Sequence, residues 1–410
     1  MDVIQVSFFF LISYLLSRVF VVLKIPELIL YYLFEKKHVS VPKLTFVLIL
    51  GTSLISSIIA NVITVLTLLP LVLLLQKEVI AIGKNVRKLN TLFLLSFIWG
   101  GNIGGIGMVT GTTTNGILIG LYEIYKIPIA KSFTFISWMA WGIPLVLLLC
   151  IAGWLILMLV FQPGKNAKTH DFAEQLSYFS LSRRLQKVGF RLAISFAVTA
   201  SALSYLLTVL DQHKHIILFA TIIWTLVYLY LILFHDYQVE DGSKVRLLKF
   251  RDTLADIPKK GLLWIGLGIL ITYLIWQARL HIKLGNWLTV VMEGRHSIFW
   301  TYMIFALLAT FATELVSNSA VQVTMFMVLF PMTKYNPDLS WQGMLIITLC
   351  SACAFMTPLA TPSNGLGFGS SRRLSYKYMF FSGFIMNLVS ASLISVWVFY
   401  VVPRILILFA

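Results

Sequence analysis

Two short polar stretches decide the fold, Ala60-Asn61-Val62 and Ser317-Asn318-Ser319, because each interrupts a long apolar run. The runs cover residues 43–76 and 298–333. At roughly 34 residues, each is too long for one straight membrane-spanning helix and short for two. An asparagine at mid-membrane is costly unless it is buried in protein or lines a wet cavity. We therefore predict two re-entrant hairpins, each made of two half-helices with the polar residues at the tip.

The composition agrees with a membrane protein. Hydrophobic residues make up 59% of the 410 positions and charged residues only 12%, and the mean hydropathy is +0.89. A soluble domain of this size needs far more charge to cover its surface. Further spans are predicted at about 6–23, 91–122, 133–161, 190–210, 215–234, 261–279, 341–370 and 377–403. The predicted fold class is therefore an all-α, polytopic membrane protein, with the first run retained as a span.

The net charge of +16 reflects membrane topology and not a nucleic-acid partner, because the basic residues lie between the spans and form no aromatic-interleaved face. Of the 32 Lys and Arg residues, 23 fall in alternate connections, namely 24–43, 77–90, 162–191, 235–260 and 372–377. The positive-inside rule predicts that this side is cytoplasmic, with both termini outside. The two hairpins then enter from opposite sides, as in an inverted repeat. Within the basic side, 171–190 and 244–260 are predicted to form amphipathic helices, the latter through the helical spacing of Leu247, Phe250, Leu254 and Ile257; the alternative is a solvated connector.

Each hairpin is followed by a span with Gly, Pro and hydroxyl residues at its middle. The first span contains Gly-Gly-Ile-Gly-Met-Val-Thr-Gly-Thr-Thr-Thr-Asn at 104–115, and the second contains Thr-Pro-Leu-Ala-Thr-Pro-Ser-Asn at 357–364. We predict two broken helices, 91–122 and 341–370; the alternative is a pair of kinked packing helices. The predicted organisation is a first repeat at 1–165, connecting helices and amphipathic segments at 166–260, and a second repeat at 261–410.

Half-helix ends at the membrane midplane can bind ions without charged side chains. Their N-termini carry free N–H groups and a positive partial charge that suit an anion. Their carbonyl ends, together with Ser, Thr and Asn oxygens, suit a dehydrated alkali cation. Glu314 is the one acidic residue deep in a predicted membrane element; it could act on a coupling ion, titrate in a proton-coupled cycle, or cap a half-helix. No catalytic motif is present, so no enzyme activity is predicted, and Cys350 and Cys353 are interpreted as packing residues.

Thr-Glu-Leu-Val-Ser-Asn-Ser-Ala at 313–320 and Cys-Ala-Phe-Met-Thr-Pro-Leu-Ala-Thr-Pro-Ser-Asn at 353–364 resemble the divalent anion:sodium symporter family. That family has paired Ser-Asn-Thr hairpin tips, each followed by a Thr-Pro-Pro-Asn-like break. The resemblance implies a homodimer with scaffold and transport domains and an elevator-type movement. It also implies a first sodium site at Ser56, Ala60, Asn61 and Gly111, and a second at Thr313, Val316, Asn318 and Ala360. The implied substrate-binding residues are Asn61, Thr112, Asn318, Ser319, Thr361 and Pro362.

The first half departs from the family pattern. Ala60 and Val62 stand where the family has Ser and Thr, so two hydroxyls are lost at the first tip, and Thr113-Thr114 replaces Pro-Pro at the first break. The function predicted is sodium-coupled symport of a small divalent anion, such as succinate, citrate or sulfate, in a bacterial cytoplasmic membrane. The alternatives are a proton-coupled or exchange-type ion transporter of the wider group, and a non-transporting homologue with a degraded first site.

Overall fold

The computed structural model describes residues 3–25, 28, 40–58, 61–82, 86–125, 127–163, 183–239, 242–254, 297–333, 337–371 and 373–409, and a few positions between 270 and 283. Up to residue 233 the helices are α1 (Val3–Val22), α2 (Val41–Ile58), α3 (Asn61–Ile82), α4 (Val86–Gly104), α5 (Thr113–Ile124), α6 (Phe135–Phe161), α7 (Arg183–Val209) and α8 (Lys214–Leu233). Two short strands follow, β1 (Asp236–Gln238) and β2 (Lys244–Arg246). The later helices are α9 (Ile298–Ala312), α10 (Asn318–Thr333), α11 (Pro337–Ala352), α12 (Pro362–Ser370), α13 (Tyr376–Val396) and α14 (Val402–Ile407).

Six helices of the described ranges are long and apolar enough to cross a membrane, and shorter apolar helices accompany them. The six are Ile4–Val22, Val41–Ile58, Phe135–Phe161, Arg183–Leu207, Lys214–Leu233 and Tyr376–Ile407. The prediction of an all-α, polytopic membrane protein is therefore confirmed. The span predicted at 261–279 lies largely outside the described residues.

One helix ends and the next begins at each polar stretch, with residues 59 and 60, at the first stretch, outside the described residues, and helices also separate at both predicted breaks. The first hairpin consists of α2 and α3, which run beyond the predicted range 43–76 at both ends, and the second consists of α9 and α10. The chain leaves helical geometry between α4 and α5, apart from a 3-10 turn at Val109–Gly111, and again between α11 and α12. Continuous kinked helices, the alternative interpretation of these stretches, are thus wrong.

The packing of the two halves is reciprocal. In the first half α2 and α3 pack against α4, and in the second half α9 and α10 pack against α11. The segment after each break crosses to the other half: α5 contacts α10 and α11, whereas α12 contacts α3 and α4. The long helices α6 and α13 flank the two halves and pack against each other. This exchange is the arrangement that an internal repeat produces; the opposite orientation of the halves in the membrane stays a prediction.

Small residues allow the close approach of α2 and α4. A Cβ atom at Gly104 would overlap the backbone of Ser53 on α2, and one at Gly100 would overlap the carbonyl of Ile49. Small-residue contacts of this kind bring helix backbones together in membranes, where dispersion packing takes over from hydrophobic burial as the source of helix association. The first break is therefore held against its hairpin by backbone contact.

A separate group of helices, α1, α7 and α8, packs beside the first half. Phe9 of α1, Phe196 of α7 and Trp224 of α8 form a set of edge-to-face and tilted rings with centroids 5.5–6.4 Å apart. Near the end of α1 the buried guanidinium of Arg18 donates to the carbonyl of Asp252, at 3.1 Å from Nε and 2.6 Å from one terminal nitrogen. The charge inside the first span is thus satisfied by the connection after α8.

The prediction of an amphipathic helix at 244–260 is wrong over its described part, residues 244–254. Residues 244–246 form β2, which pairs antiparallel with β1, and only a 3-10 turn follows at Phe250–Leu254. The strands are joined through Gly242, whose φ of +83° favours glycine. The sequence Asp-Gly at 241–242 is a hairpin signal that outweighs the helical spacing of the apolar residues. In 171–190, residues 183–190 form the first turns of the spanning helix α7, and 171–182 lie outside the described residues.

Candidate functional site

The two breaks share one backbone motif, closed in each half by an asparagine. The Nδ2 group of Asn115 donates to the carbonyls of Gly105 and Met108, each at 2.9 Å. The Nδ2 group of Asn364 donates to the carbonyls of Ala354 and Thr357, at 3.2 and 2.8 Å. In both halves the two carbonyls lie ten and seven residues before the asparagine. Each asparagine therefore bridges the gap between two half-helices by satisfying carbonyl groups that the break leaves free.

A threonine in extended conformation precedes the second half-helix at each break. Thr112 has φ −148° and ψ 152°, and Thr361 has φ −138° and ψ 154°. The Oγ1 atom of Thr361 accepts from the backbone N–H of Asn364 at 3.1 Å, whereas the side chain of Thr112 makes no capping bond. Both threonines are buried, and the residues that follow them, Thr113 and Pro362, are exposed. Each half-helix thus begins at an accessible surface.

Both hairpin tips place an asparagine at the start of their second helix. The Oδ1 atom of Asn61 accepts from the N–H of Val62 at 2.8 Å, and that of Asn318 accepts from the Thr313 hydroxyl at 2.6 Å. Neither Nδ2 group has a hydrogen-bond partner within the described part of the chain. Asn61 is 8% exposed, and Asn318 and the adjacent Ser319 are half-buried. The two tips thus present amide N–H donors, which suit a carboxylate.

The predicted sodium ligands are brought together to different degrees. Thr313 contacts Asn318, and its hydroxyl is also 2.9 Å from the carbonyl of Ser351. Val316 is half-buried in the same tip, and Ala360 is buried just before Thr361. In the first half, the Ser56 hydroxyl donates to the carbonyl of Gly101 at 2.7 Å.

In the first predicted sodium site, Gly111 packs so closely on Gly105 that a Cβ atom there would overlap its carbonyl. Ala60 lies outside the described residues. The role of both sets of residues in binding sodium stays a prediction.

Several buried side-chain oxygens in the described structure have no hydrogen-bond partner, and they are spread over the chain, with Ser363 Oγ among them at the second break. Those near the first break are Asn102 Oδ1, Thr110 Oγ1, Thr114 Oγ1 and Asn115 Oδ1. A buried acceptor that no donor satisfies costs about 1–3 kcal/mol, and a bound cation is one way to remove that cost. The chemistry of these oxygens, all neutral and hard, fits an alkali cation. Elsewhere in the described ranges, no group of three His, Cys, Asp or Glu side chains forms a site for another metal.

Glu314 is committed to the second break. Its Oε1 atom accepts from the N–H groups of Phe355 and Met356 at 2.7 and 2.9 Å and from Asn387 Nδ2 at 2.8 Å. Its Oε2 atom accepts from the N–H of Thr357 at 2.9 Å. Four donors on one carboxylate is the pattern of an ionised group that holds a helix break, so the capping interpretation of Glu314 is the one that its contacts favour.

Sequence analysis missed the residues that join the two halves. Asn102 donates from Nδ2 to the carbonyl of Ala354 at 2.8 Å and to Oδ1 of Asn364 at 2.9 Å. Gln322 donates to the carbonyl of Thr114 at 2.8 Å, in the opposite direction between the halves. Asn387, the partner of Glu314, was missed as well. All three could have been identified by one argument: an amide side chain is costly at membrane depth, so an amide found there is expected to have a specific hydrogen-bond partner.

The sequences of the breaks and tips contain no basic residue. No Lys, Arg or His occurs at 105–116, 313–320 or 353–365. Cys350 and Cys353 are buried free thiols within the apolar core, as predicted. An anion that binds between the breaks and tips would meet backbone and amide dipoles, hydroxyl groups and any cation bound beside it.

Comparison with known proteins identifies the family of the chain. A family model described as a citrate transporter (CitMHS) matches residues 3–342. The sodium-dependent dicarboxylate transporter SdcS of Staphylococcus saprophyticus is 24% identical over 375 residues, covering 87% of this chain and 69% of the relative. SdcS of Staphylococcus aureus is 24% identical over 385 residues, covering 90% and 70%. These relatives are consistent with the resemblance to divalent anion:sodium symporters, and the family is one of transporters, not enzymes. The chain belongs to the citrate transporter family and is an integral, multi-pass membrane protein.

Proposed function

We propose that this protein transports a small anion with two or more carboxylates, a dicarboxylate such as succinate or the tricarboxylate citrate, in symport with sodium. The observation that carries the proposal is the duplicated break, closed by Asn115 in one half and Asn364 in the other and faced by the hairpin tips. The names of the family and of the relatives support the substrate class and the coupling ion. Sulfate is the competing dianion.

The proposed division of labour follows from the atoms available. Half-helix N-termini and the free amide groups of Asn61 and Asn318 donate to the substrate carboxylates, with Thr112, Ser319, Thr361 and Pro362 around them. Carbonyl and side-chain oxygens at the tips and breaks coordinate sodium beside the anion. Because no basic side chain is present there, the cations themselves supply the positive charge that lets a dianion bind. Coupling is then a consequence of electrostatics, since the anion and sodium each favour the binding of the other.

The second half is expected to bind the substrate more strongly. It keeps the tip and break hydroxyls of Ser317, Ser319 and Thr361, whereas Val62 in the first tip can only make apolar contact. The wider proposal is an elevator-type homodimer, which rests on the resemblance, in a bacterial cytoplasmic membrane, with both termini outside as the distribution of Lys and Arg indicates. Proton coupling, ion exchange and a degraded first site are the other outcomes that the experiments below distinguish.

The direct test is uptake of labelled succinate, citrate and sulfate into proteoliposomes, with a sodium gradient, a pH gradient or neither. We expect sodium-dependent uptake of a di- or tricarboxylate. Asn318→Ala should reduce it about tenfold or more, because a hydrogen bond to a charged ligand contributes roughly 1.5–3 kcal/mol. Asn61→Ala should have a smaller effect.

The matched control is Gln212→Ala, an exposed amide in the connection between α7 and α8. It should transport at the wild-type rate. Uptake that follows a pH gradient without sodium would overturn the choice of coupling ion. Wild-type uptake by Asn318→Ala and Thr361→Ala together would show that the substrate binds elsewhere.

A further inference from the structure

A cavity of about 550 Å³ lies between the beginning of α7 and the end of α8, and none of its lining residues belongs to the breaks or the hairpin tips. Its wall is formed by Arg184, Lys187, Val188, Arg191, His235, Asp236, Tyr237 and Gln238. The first four residues come from the initial turns of α7, and the last four come from the chain that leaves α8 and enters β1. Nothing in the transport site uses this cavity.

The wall is strongly basic. Arg184, Lys187 and Arg191 are spaced by three and four positions, so that they follow one another along a single face of α7. Among the residues that line the cavity, the single acid is Asp236, and its carboxylate already pairs with the guanidinium of Arg246 at 3.2 Å. The imidazole of His235 stands against the ring of Tyr237, with centroids 4.5 Å apart. The lining therefore presents three cationic side chains to one space.

The cavity also lies at the ends of two candidate membrane spans. It opens beside the first residues of the candidate span Arg183–Leu207 and the last residues of the candidate span Lys214–Leu233. Directly beside the basic residues, Phe190 is 42% exposed and Phe234 is 61% exposed, and both helices continue with exposed apolar side chains. An amphiphile could therefore place its polar group among the basic residues and its chains along α7 and α8.

We propose that this cavity is a binding site for a phosphate group, the headgroup phosphate of an anionic phospholipid or a soluble phosphate ion. The two guanidinium groups favour a phosphate group over a neutral ligand, because each can donate two parallel hydrogen bonds to the phosphate oxygens. Lys187 adds a point charge, and the amide of Gln238 adds a donor on the opposite wall. The volume exceeds that of a phosphate ion and leaves room for the glycerol part of a headgroup.

The test uses the full chain purified in a nonionic detergent and titrated with three probes: dioctanoyl phosphatidylglycerol, dioctanoyl phosphatidylcholine and inorganic phosphate. The variant R184Q/K187Q/R191Q removes the three lining charges. Each basic side chain near an anionic lipid contributes roughly fivefold in affinity, so we expect the triple variant to bind phosphatidylglycerol about 100-fold more weakly. Its elution as a single peak with wild-type sodium-driven uptake would show that it is folded.

The matched control is K244Q/K249Q/R251Q, which removes three exposed charges next to the same connection, none of them in the cavity wall. It should bind phosphatidylglycerol within about threefold of wild type. Tight binding of phosphatidylglycerol with weak binding of inorganic phosphate would identify a lipid site, and equal binding of both would identify a soluble phosphate. Equal loss in both triple variants, or no loss in R184Q/K187Q/R191Q, would overturn the proposal.

Discussion

The carboxylate of Glu314 is expected to hold the second break closed, and Glu314→Gln is the perturbation that tests this role. Glutamine has the same shape, but it offers one acceptor oxygen in place of two and carries no charge. If its oxygen stays with Phe355, Met356 and Asn387, its NH₂ group must face the N–H of Thr357, and two donors then oppose each other.

The magnitude follows from the four hydrogen bonds. Loss of charge weakens the three that remain by about 1 kcal/mol each, and the N–H of Thr357 left unpaired costs about 2 kcal/mol more. The gross loss of about 5 kcal/mol is partly offset, since a neutral side chain is easier to bury than a carboxylate. We expect a net loss of about 3 kcal/mol in the free energy of opening the break, which corresponds to roughly 100-fold in its opening equilibrium.

Hydrogen exchange measures this opening directly, because the backbone amides of Phe355, Met356 and Thr357 are the groups that Glu314 protects. Their protection should fall about 100-fold in Glu314→Gln. Glu123→Gln is the matched control: Glu123 pairs with Lys214 at 3.3 Å, and both side chains are more than a third exposed. Such surface pairs contribute little, so protection at 355–357 should stay within about twofold of wild type.

One result would refute the reasoning. If Glu314→Gln keeps the protection of these amides and still loses the response of uptake to sodium or to a pH gradient, the carboxylate acts on the coupling ion and not on the break. Loss of protection together with sodium-dependent uptake of reduced amplitude is the expected combination, since both carboxylate oxygens are already engaged by N–H donors.

Three further outcomes are expected. Gly104→Ala should abolish folded protein in detergent, because the added methyl group would overlap the backbone of Ser53, while Gly51→Ala, with nothing within 4 Å, should be tolerated. Asn364→Ala and Asn115→Ala should each lower the free energy of unfolding by about 2 kcal/mol or more, measured by chemical denaturation, because each leaves two break carbonyls without their donor. Single cysteines in place of Lys84 or Lys168 should label only from the cytoplasm, and those in place of His213 or Asn336 only from outside; labelling of the first and last from one side would contradict the inverted topology.

The interruptions of the helices could be predicted from sequence, because their cause is local. Glycine, proline and hydroxyl residues within an apolar run leave backbone groups that must be satisfied inside the protein, and Asn115 and Asn364 stand where those groups arise. The partners across the halves could not be predicted. Asn102 and Asn364 are 262 positions apart, and only the packing of α4 against α12 brings them together.

The strands β1 and β2 show a different limit of sequence interpretation. The apolar residues at 247, 250, 254 and 257 have helical spacing. The chain nevertheless turns at Gly242, which has a positive φ, and residues 244–246 pair with β1 as a strand. Leu247 and Leu248, which directly follow β2, are both buried. Periodicity alone is therefore a weak guide in short connections, where one glycine can redirect the chain.

The two halves hold their breaks by different means, and this difference bears on how the site works. Asn61 and Asn318 occupy matching tip positions, so Ser57 corresponds to Glu314, four residues earlier in each case. Ser57 lies against Gly107, because a Cβ atom at Gly107 would overlap the Ser57 hydroxyl. That hydroxyl donates to the carbonyl of Ser53 at 2.9 Å.

The first break meets its hairpin through small residues and a hydrogen bond from the Ser56 hydroxyl to the carbonyl of Gly101, whereas the second is tied to its hairpin by a buried carboxylate. The four hydrogen bonds of Glu314 fix the positions of three consecutive N–H groups at the second break. A ligand that binds between the halves therefore meets a second half whose break is already ordered, and binding to an ordered site avoids the entropic cost of ordering it. The retained hydroxyls and the buried carboxylate occur in the same half, and that half is where we expect most of the binding energy to arise.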